Sequence, residues 1–199
     1  MTRITQMLLI AVLALGYFRG ELWAQGKPTD MWPRLAQGGV AVLLRHALAP
    51  GFSDPPNFKL GDCATQRNLS DTGREQARQI GLGFRQHEIT IDRVYTSEWC
   101  RCRETAELLG LGPVTPLPLL NSFFETRERK ASQTAALDQF LKTTPISNVI
   151  VLVTHQVNIA ALTGVHPASG EAVLVEVRAA KALRVLGSLP FSQRPPQAK

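Results

Sequence analysis

The sequence predicts a three-layer α/β/α sandwich with a mostly parallel central sheet. Two short runs, residues 41–44 and 149–153, consist only of Ala, Val, Leu and Ile. Such continuous apolar runs are typical of strands that are covered on both faces. Segments with helical periodicity alternate with the strands, which is the order of a doubly covered sheet. A terminal pair of strands, residues 172–178 and 182–186, is expected to make the sheet mixed.

The other elements follow from residue spacing and from turn residues. Ser70 is a suitable N-cap for a helix in which Ala77, Ile80 and Phe84 recur at helical spacing. Pro116 and Pro118 place the third strand at an edge of the sheet. The predicted strands are residues 41–47, 91–96, 114–119, 148–154, 172–178 and 182–186. The predicted helices are residues 27–37, 70–86, 97–109, 134–142 and 156–163.

A long loop, residues 48–68, follows the first strand directly. It is rich in Pro and Gly and carries Asn57, Asp62 and Arg67 as polar residues. Loops of this length without secondary structure are usually functional or disordered. We interpret the loop as substrate-facing, with Asn57 as a substrate-binding candidate, and disorder is the alternative.

Length and composition indicate one domain, predicted over residues 25–190. The chain has 199 residues, of which 44% are hydrophobic and 19% charged, as in ordinary globular proteins. The net charge of +6 favours an anionic partner without choosing its class. The basic residues are dispersed and lack interleaved aromatics, so nucleic-acid binding is not expected. The Pro-rich end, residues 191–199, is expected to be disordered, and the sequence sets no oligomeric state.

The amino terminus resembles a secretory signal peptide over residues 1–24. Arg3 precedes the apolar run 7–15, and Leu22-Trp23-Ala24 is an acceptable cleavage site. The run is shorter than the ~20 residues that a membrane-spanning helix needs, although an uncleaved anchor is the alternative. The sequence therefore predicts a periplasmic or secreted protein without a membrane span after cleavage.

The three cysteines, Cys63, Cys100 and Cys102, allow one disulfide in an oxidising compartment. A bridge between Cys100 and Cys102 would close a very small, strained ring. We therefore expect Cys63 to pair with one of the other two, and the sequence leaves the partner open. The cysteines lack the paired spacing of zinc ligands, so no metal site is predicted.

Chemically active side chains follow the predicted strands. Arg45 and His46 end the first apolar run, and His155 ends the run 149–154. Arg101 lies about one helical turn beyond the strand 91–96. Ligand sites of α/β sheets lie at the carboxyl ends of the strands, so neighbouring strands would bring these residues into one crevice. An Arg-His pair alone is more often structural, and the prediction depends on all three segments together.

Four segments in order resemble the histidine phosphatase superfamily, also called the phosphoglycerate mutase-like family. Together they span roughly residues 40–165. They are Leu-Leu-Arg-His-Ala at 43–47, Asn-Leu-Ser-Asp-Thr-Gly-Arg-Glu-Gln-Ala at 68–77, Tyr-Thr-Ser-Glu-Trp-Cys-Arg-Cys-Arg-Glu-Thr-Ala at 95–106 and Val-Thr-His at 153–155. The resemblance implies a phosphoglycerate mutase-like fold.

The resemblance also implies roles for individual residues. His46 would be the nucleophile that accepts a phosphoryl group, and Arg45, Arg101 and His155 would bind that group. An imidazole is neutral and nucleophilic near neutral pH, and guanidiniums match phosphate oxygens without a metal or other cofactor. The general acid would be Glu125, with the neighbouring Glu128 or a purely surface role for Glu125 as alternatives.

The sequence departs from the family pattern at three positions. Ala47 stands where relatives more often carry glycine, and this departure is expected to be tolerated if only the backbone there orients His46. Gln156-Val157 also stands where relatives carry glycines, so a tighter pocket floor and a different substrate are expected. The resemblance nevertheless implies an exported, metal-independent phosphomonoesterase that hydrolyses a small phosphorylated substrate. The alternative is a catalytically silent module of the same fold that binds a phosphate ester or an envelope glycolipid.

Overall fold

The computed structural model describes residues 31–177 and 182–191 of the chain. The predicted signal peptide, the turn near residues 179–181 and the tail from residue 192 lie outside these residues. The strands are β1 Val40–Arg45, β2 Ile91–Thr96, β3 Val114–Pro116, β4 Val149–Thr154, β5 Glu171–Glu176 and β6 Arg184–Pro190. The helices are α1 Trp32–Ala36, α2 Asp71–Gln86, α3 Cys100–Leu109, α4 Lys130–Thr143 and α5 Gln156–Thr163.

The six strands form one mixed sheet in the order β3-β2-β4-β1-β5-β6. The first four of these strands are parallel to one another, whereas β5 pairs antiparallel with β1 and β6 pairs antiparallel with β5. Strand β4, the most apolar, lies between β2 and β1, and β3 is the edge strand that its prolines predict. The predicted fold class is therefore confirmed.

The sheet is covered on both faces, because alternate residues of each strand enter different cores. Val42 and Leu44 of β1 pack in a core with Ile80 of α2 and Leu109 of α3. The intervening residues, represented by Leu43, pack in a second core that is covered by α4 and α5. All core residues of β1 and β4 are fully buried, as their continuous apolar sequences require.

Helix α2 begins as predicted, since the Ser70 side chain accepts a hydrogen bond from Gly73 N at 3.1 Å. A Cβ atom at Gly73 would lie 2.0 Å from Leu48 O, so only glycine allows this close approach. The glycine thereby holds the start of α2 against the segment that immediately follows His46.

Several predicted boundaries were wrong. Helix α3 begins at Cys100 rather than Ser97, because Ser97 N donates to Val153 O and extends the sheet contacts of β2. Helix α4 begins four residues earlier than predicted, at Lys130, and β3 ends at Pro116 instead of residue 119. The last two strands are also shifted, to Glu171–Glu176 and Arg184–Pro190.

A disulfide joins Cys63 to Cys100 and leaves Cys102 free and buried. The expectation that Cys63 takes part is confirmed, and the structure selects its partner. The bridge spans 37 residues and ties the 48–68 loop to the first residue of α3. A loop of this size gives roughly 4 kcal/mol of stabilisation in the chain-entropy account of disulfides. The disulfide therefore holds the 48–68 loop close to Arg101.

Candidate active site

The carboxyl ends of β1, β4 and β2 bring the predicted residues into one crevice. Arg45 pairs with Thr154 in the sheet register, so His46 and His155 emerge side by side. His46 N donates to Thr154 O at 3.0 Å, and the two imidazole ring centroids lie 5.5 Å apart. The expectation that these strands neighbour one another is therefore met.

The surroundings of His46 fix its tautomer. Its Nδ1 lies 2.8 Å from Ala47 O, and a carbonyl oxygen can only accept a hydrogen bond. Nδ1 therefore carries the proton, and Nε2 keeps its lone pair. Ala47 N donates to Thr105 Oγ1 at 3.1 Å, which holds the orienting peptide in place. His46 is only 2% exposed, so its orientation is fixed by its surroundings.

His155 has the opposite tautomer. Arg101 Nη2, which can only donate, lies 3.5 Å from Nδ1 of His155, while Nε2 lies 2.9 Å from Ser97 Oγ. The Nε2 proton is therefore donated to Ser97, whose hydroxyl in turn donates to Asn121 Oδ1 at 3.2 Å. Ser97 and Asn121 thus orient His155, a role that the sequence did not indicate.

Arg101 is held by a carboxylate that the sequence analysis missed. Its Nη1 and Nη2 donate to the two oxygens of Asp54 at 2.7 and 3.2 Å. Asp54 also accepts hydrogen bonds from Trp99 Nε1 and Arg67 N, each at 3.0 Å. Asp54 lies in the 48–68 loop, so this loop folds over the phosphate-binding candidate Arg101.

Two further guanidiniums, those of Arg45 and Arg67, lie in the same crevice. Arg45 Nη1 donates to Pro167 O at 2.9 Å, and Arg67 Nη1 donates to Ala49 O. The Nε atoms of Arg45, Arg67 and Arg101 are all buried and have no hydrogen-bond partner among the described residues. Two sequence signals could have suggested Arg67: it is a polar residue of the 48–68 loop, and it directly precedes the family-like segment 68–77.

The electrostatics of the crevice keep the two imidazoles neutral, while the carboxyl of Asp54 and the guanidiniums stay ionised. Burial, followed by the charge of Arg101, lowers the pKa of both His46 and His155 well below 6.5. Burial opposes the ionisation of Asp54, but its hydrogen bonds to Arg101 and Arg67 outweigh burial and lower its pKa. Burial and the charge of Arg101 also lower the pKa of Arg45 and of Arg67. The crevice is therefore strongly cationic around two uncharged rings.

These shifts predict a fall in stability under mildly acidic conditions. Both histidines stay neutral in the folded protein where the unfolded chain, with an ordinary pKa of 6.5, becomes protonated. Because the unfolded state then binds more protons, the stability present above pH 6.5 declines as the pH falls. The decline is up to about 1.4 kcal/mol per pH unit for each histidine, until its folded-state pKa is reached.

Denaturant unfolding at about pH 7, 6 and 5 measures this effect. Wild type should lose more free energy of unfolding over this range than His46→Asn, which retains only one of the two buried histidines. An identical loss in both proteins would contradict the neutral state of His46.

The remaining two site candidates lie at the surface. Asn57 is exposed on the 48–68 loop, next to Phe58, whose ring stacks on Trp99 with a centroid distance of 5.1 Å. Glu125 is exposed on the segment between β3 and α4. The structure therefore brings together Arg45, His46, Arg101 and His155, and places Asn57 and Glu125 on segments outside this buried group.

The part of the chain that the structure describes contains no group of three or more His, Cys, Asp or Glu side chains arranged to hold a metal ion. Within residues 31–177 and 182–191, no helix combines the length and apolar character that crossing a membrane requires. The side chains that converge in the crevice are instead three guanidiniums, which are donors suited to an anion, and two neutral imidazoles.

A sequence profile of the histidine phosphatase superfamily (branch 1) matches residues 41–127. This range begins in β1 and includes His46, the start of α2 and Arg101. His155 lies beyond it, but the structure places His155 beside His46. No curated protein is similar enough in sequence to be counted as a relative.

Solved structures share the fold at low identity. The protein histidine phosphatase SixA complexed with tungstate is 14% identical, with a TM-score of 0.53 over 76% of this chain and 97% of its own. Mycobacterial glucosyl-3-phosphoglycerate phosphatase is 15% identical, with a TM-score of 0.53 over 73% and 96%. TTHB049 from Thermus thermophilus is 19% identical, with a TM-score of 0.52 over 76% and 98%. At these identities the similarity concerns the fold.

Proposed function

Because the chain belongs to the histidine phosphatase superfamily, we propose that it is a metal-independent phosphomonoesterase that forms a phosphohistidine at His46. The observation that carries the proposal is the charge balance of the crevice. Three guanidiniums converge there, and one carboxylate, Asp54, pairs with Arg101. A phosphoryl group carries a charge of about −1.5 to −2 near neutral pH and would balance the remaining positive charge.

The chemistry follows from the tautomers. His46 Nε2, with its lone pair free, attacks phosphorus while the bond from phosphorus to the ester oxygen breaks. The departing alkoxide takes a proton from a general acid. Water then gives a proton to the conjugate base of that acid and attacks phosphorus as the bond from phosphorus to His46 Nε2 breaks, which releases inorganic phosphate and restores both neutral His46 and the acid. Guanidinium donors from Arg45, Arg67 and Arg101 stabilise the charge on the three equatorial oxygens during both displacements.

Asp54 acts in this scheme as a positioning residue for Arg101. Its two oxygens hold the two terminal nitrogens of the guanidinium, while the Nε–H remains free for a ligand. Asn57, which is exposed three residues further along the same loop, is proposed to contact the substrate. The disulfide next to Arg101 keeps this loop in place.

Hydrolysis of p-nitrophenyl phosphate in the presence of EDTA tests the proposal. We expect the purified protein to release p-nitrophenol under these conditions, because arginine side chains supply the positive charge that a metal ion would provide. Turnover that disappears with EDTA and returns with added metal would contradict the metal-independent mechanism.

A catalytically silent module that binds a phosphate ester or an envelope glycolipid is the second candidate. The exposure of Glu125 favours it, since a general acid must reach the leaving oxygen. Binding of phenyl phosphate without any release of phosphate would support this candidate over the enzyme. Structural similarity to phosphatases supports the enzyme instead.

Replacing Glu125 with Gln tests its role as the acid. We expect a loss of about tenfold or more for alkyl phosphates, whose poor leaving groups need a proton, and little loss for p-nitrophenyl phosphate. The matched variant Glu128→Gln should hydrolyse both esters at the wild-type rate. An equal loss on both esters in Glu125→Gln would show that Glu125 is not the acid.

We also propose that residues 1–24 direct export, so that the enzyme works in the periplasm or outside the cell. The disulfide between Cys63 and Cys100 supports this proposal, because such bonds persist mainly in oxidising compartments. Fractionation of cells that express the full chain would test it, with the mature amino terminus expected at Gln25.

A further inference from the structure

The first turn of α3, which carries Arg101, is capped by a side chain from another part of the chain. The N-cap residue Trp99 contributes no side-chain hydrogen bond to its own helix. Instead, Gln66 Oε1 of the 48–68 loop accepts a hydrogen bond from Cys100 N at 2.9 Å. The free N–H groups of a first helical turn need such acceptors. The loop and the start of α3 are therefore held in register with each other.

Gln66 is itself held firmly. It is 6% exposed, and its Nε2 donates to Lys59 O at 3.1 Å, so both ends of its amide have partners. The backbone oxygen of the next residue, Arg67, accepts a hydrogen bond from Arg101 Nη1 at 3.3 Å. Two consecutive loop residues thus contact the backbone and the guanidinium of the same helical turn. A shift of Gln66 would therefore move both the helix start and an acceptor of the Arg101 guanidinium.

The disulfide fastens the same turn of the loop to the same residue of the helix. Cys63 O accepts a hydrogen bond from Gln66 N at 3.2 Å, so Cys63 and Gln66 lie in one turn. The bridge from Cys63 ends at Cys100, whose N–H is the group that Gln66 caps. A covalent bond and a hydrogen bond therefore meet at the residue that directly precedes Arg101.

The bridge is open to solvent on the loop side. Cys63 is exposed, whereas Cys100 is 5% exposed. The third cysteine, Cys102, is fully buried, and burial raises the pKa of its thiol to about 12. Because the thiolate is the attacking species in thiol–disulfide exchange, Cys102 does not compete for the bridge. The redox state of the loop therefore depends on reagents that reach Cys63 from solvent.

We propose that Gln66 is a positioning residue for Arg101, and that the disulfide makes this positioning redox-dependent, so that the phosphatase is fully active only when the bridge is closed. The inference rests on the proposed phosphatase activity. In the reduction, one thiolate of an external dithiol attacks Cys63 Sγ, the S–S bond breaks, and Cys100 leaves as a thiolate that takes up a proton. The second thiol of the reagent then displaces Cys63 from the mixed disulfide. The dithiol thereby loses two electrons, and both cysteines become thiols.

Reduction loosens the contacts that orient Arg101. Without the bridge, only the noncovalent contacts of Asp54, Gln66 and Arg67 hold the loop against α3. A loop of this length gains conformational entropy when it is released. Arg101 then spends less time in the geometry that binds a phosphoryl group, and small displacements of such groups have large effects on rate.

Phosphatase assays before and after reduction with dithiothreitol test the redox dependence. We expect kcat/KM for p-nitrophenyl phosphate to fall about tenfold on reduction and to return on reoxidation, while far-UV circular dichroism shows that the protein stays folded. In Arg101→Ala, reduction should leave kcat/KM nearly unchanged, because the bridge acts through Arg101. The double variant Cys63→Ser/Cys100→Ser should have the activity of the reduced protein and should not respond to dithiothreitol. Equal activity of the oxidised and the reduced, folded protein would overturn the redox dependence.

Gln66→Ala tests the positioning role with the bridge intact, and it decides the question even if the reduced protein unfolds. We expect kcat/KM for p-nitrophenyl phosphate to fall about fivefold, since one hydrogen bond to the start of α3 is lost. Gln66→Ala/Arg101→Ala should be no less active than Arg101→Ala, a result that a merely structural role would not give. The control Gln79→Ala, an exposed residue of α2, should keep the wild-type kinetics. Wild-type kinetics in Gln66→Ala would overturn the positioning role.

Binding of inorganic phosphate, measured by calorimetry, separates this inference from the proposed activity. Weaker binding after reduction and in Gln66→Ala, with no such change in the Arg101→Ala background, supports the inference even if no ester is hydrolysed. Hydrolysis together with equal phosphate affinity in the oxidised and reduced protein and in Gln66→Ala would overturn the inference and leave the phosphatase proposal intact. An absence of phosphate binding in every form would overturn both.

Discussion

His46→Ala is expected to reduce phosphatase turnover by about a thousandfold or more. The variant lacks the only imidazole in the crevice whose Nε2 lone pair is free among the described residues, since Nε2 of His155 donates its proton to Ser97. Without this nucleophile, the reaction would need direct attack of water on the ester. Initial rates with p-nitrophenyl phosphate measure the loss.

Two controls test whether the loss of turnover is specific to His46 and whether His46 carries the phosphoryl group. His87→Ala removes an exposed histidine that stacks on Trp32, away from the crevice, and should keep the wild-type rate. Rapid quenching of wild type with substrate should trap one phosphoryl group on the peptide that contains His46. Full activity in His46→Ala, or a phosphoryl group trapped on another residue, would exclude the proposed mechanism.

Arg101→Ala is expected to lower kcat/KM by about a hundredfold to a thousandfold. The guanidinium is 4% exposed, lies 3.5 Å from His155 and has the largest effect of any single charge on the pKa of both imidazoles. Arg101→Lys should recover little activity, because an ammonium cannot keep two forked contacts to Asp54 while also donating to phosphate. Steady-state kinetics with p-nitrophenyl phosphate measure both variants.

The Arg101→Ala variant also leaves Asp54 without its charge partner, which is expected to cost roughly 3 kcal/mol of stability. The double variant Asp54→Ala/Arg101→Ala separates the two effects, since it should regain stability without regaining activity. Arg103→Ala is the matched control on the same helix and should be active. Recovery of activity in the double variant would mean that Arg101 serves only to neutralise Asp54.

The predictable part of the fold depended on local patterns. Continuous apolar residues in β1 and β4 can form only doubly covered strands, and a histidine that directly follows such a strand must emerge at the carboxyl edge of the sheet. Ser70 marked the start of α2 because its side chain can satisfy a free backbone N–H of the first turn. For these reasons His46, His155 and the mixed three-layer sheet could be predicted from the chain alone.

Boundaries were harder to predict, because tertiary contacts compete with local preference. Ser97 looks like the start of a helix, but its N–H is taken by Val153 of the neighbouring strand, so α3 starts at Cys100. The disulfide is a similar case. Spacing narrowed the partner of Cys63 to Cys100 or Cys102, and only the packing of the loop on α3 selected Cys100.

The sequence by itself determined which strands lead to the histidines, because His46 and His155 directly follow continuous apolar runs. Only the tertiary structure brought Asp54 and Arg67 to Arg101 and Asn121 to Ser97, through contacts between residues 47, 34 and 24 positions apart. Such pairs leave no periodic trace, since a loop residue can meet any part of the surface that its loop reaches. The folded chain alone therefore decided how the charged side chains of the crevice are held.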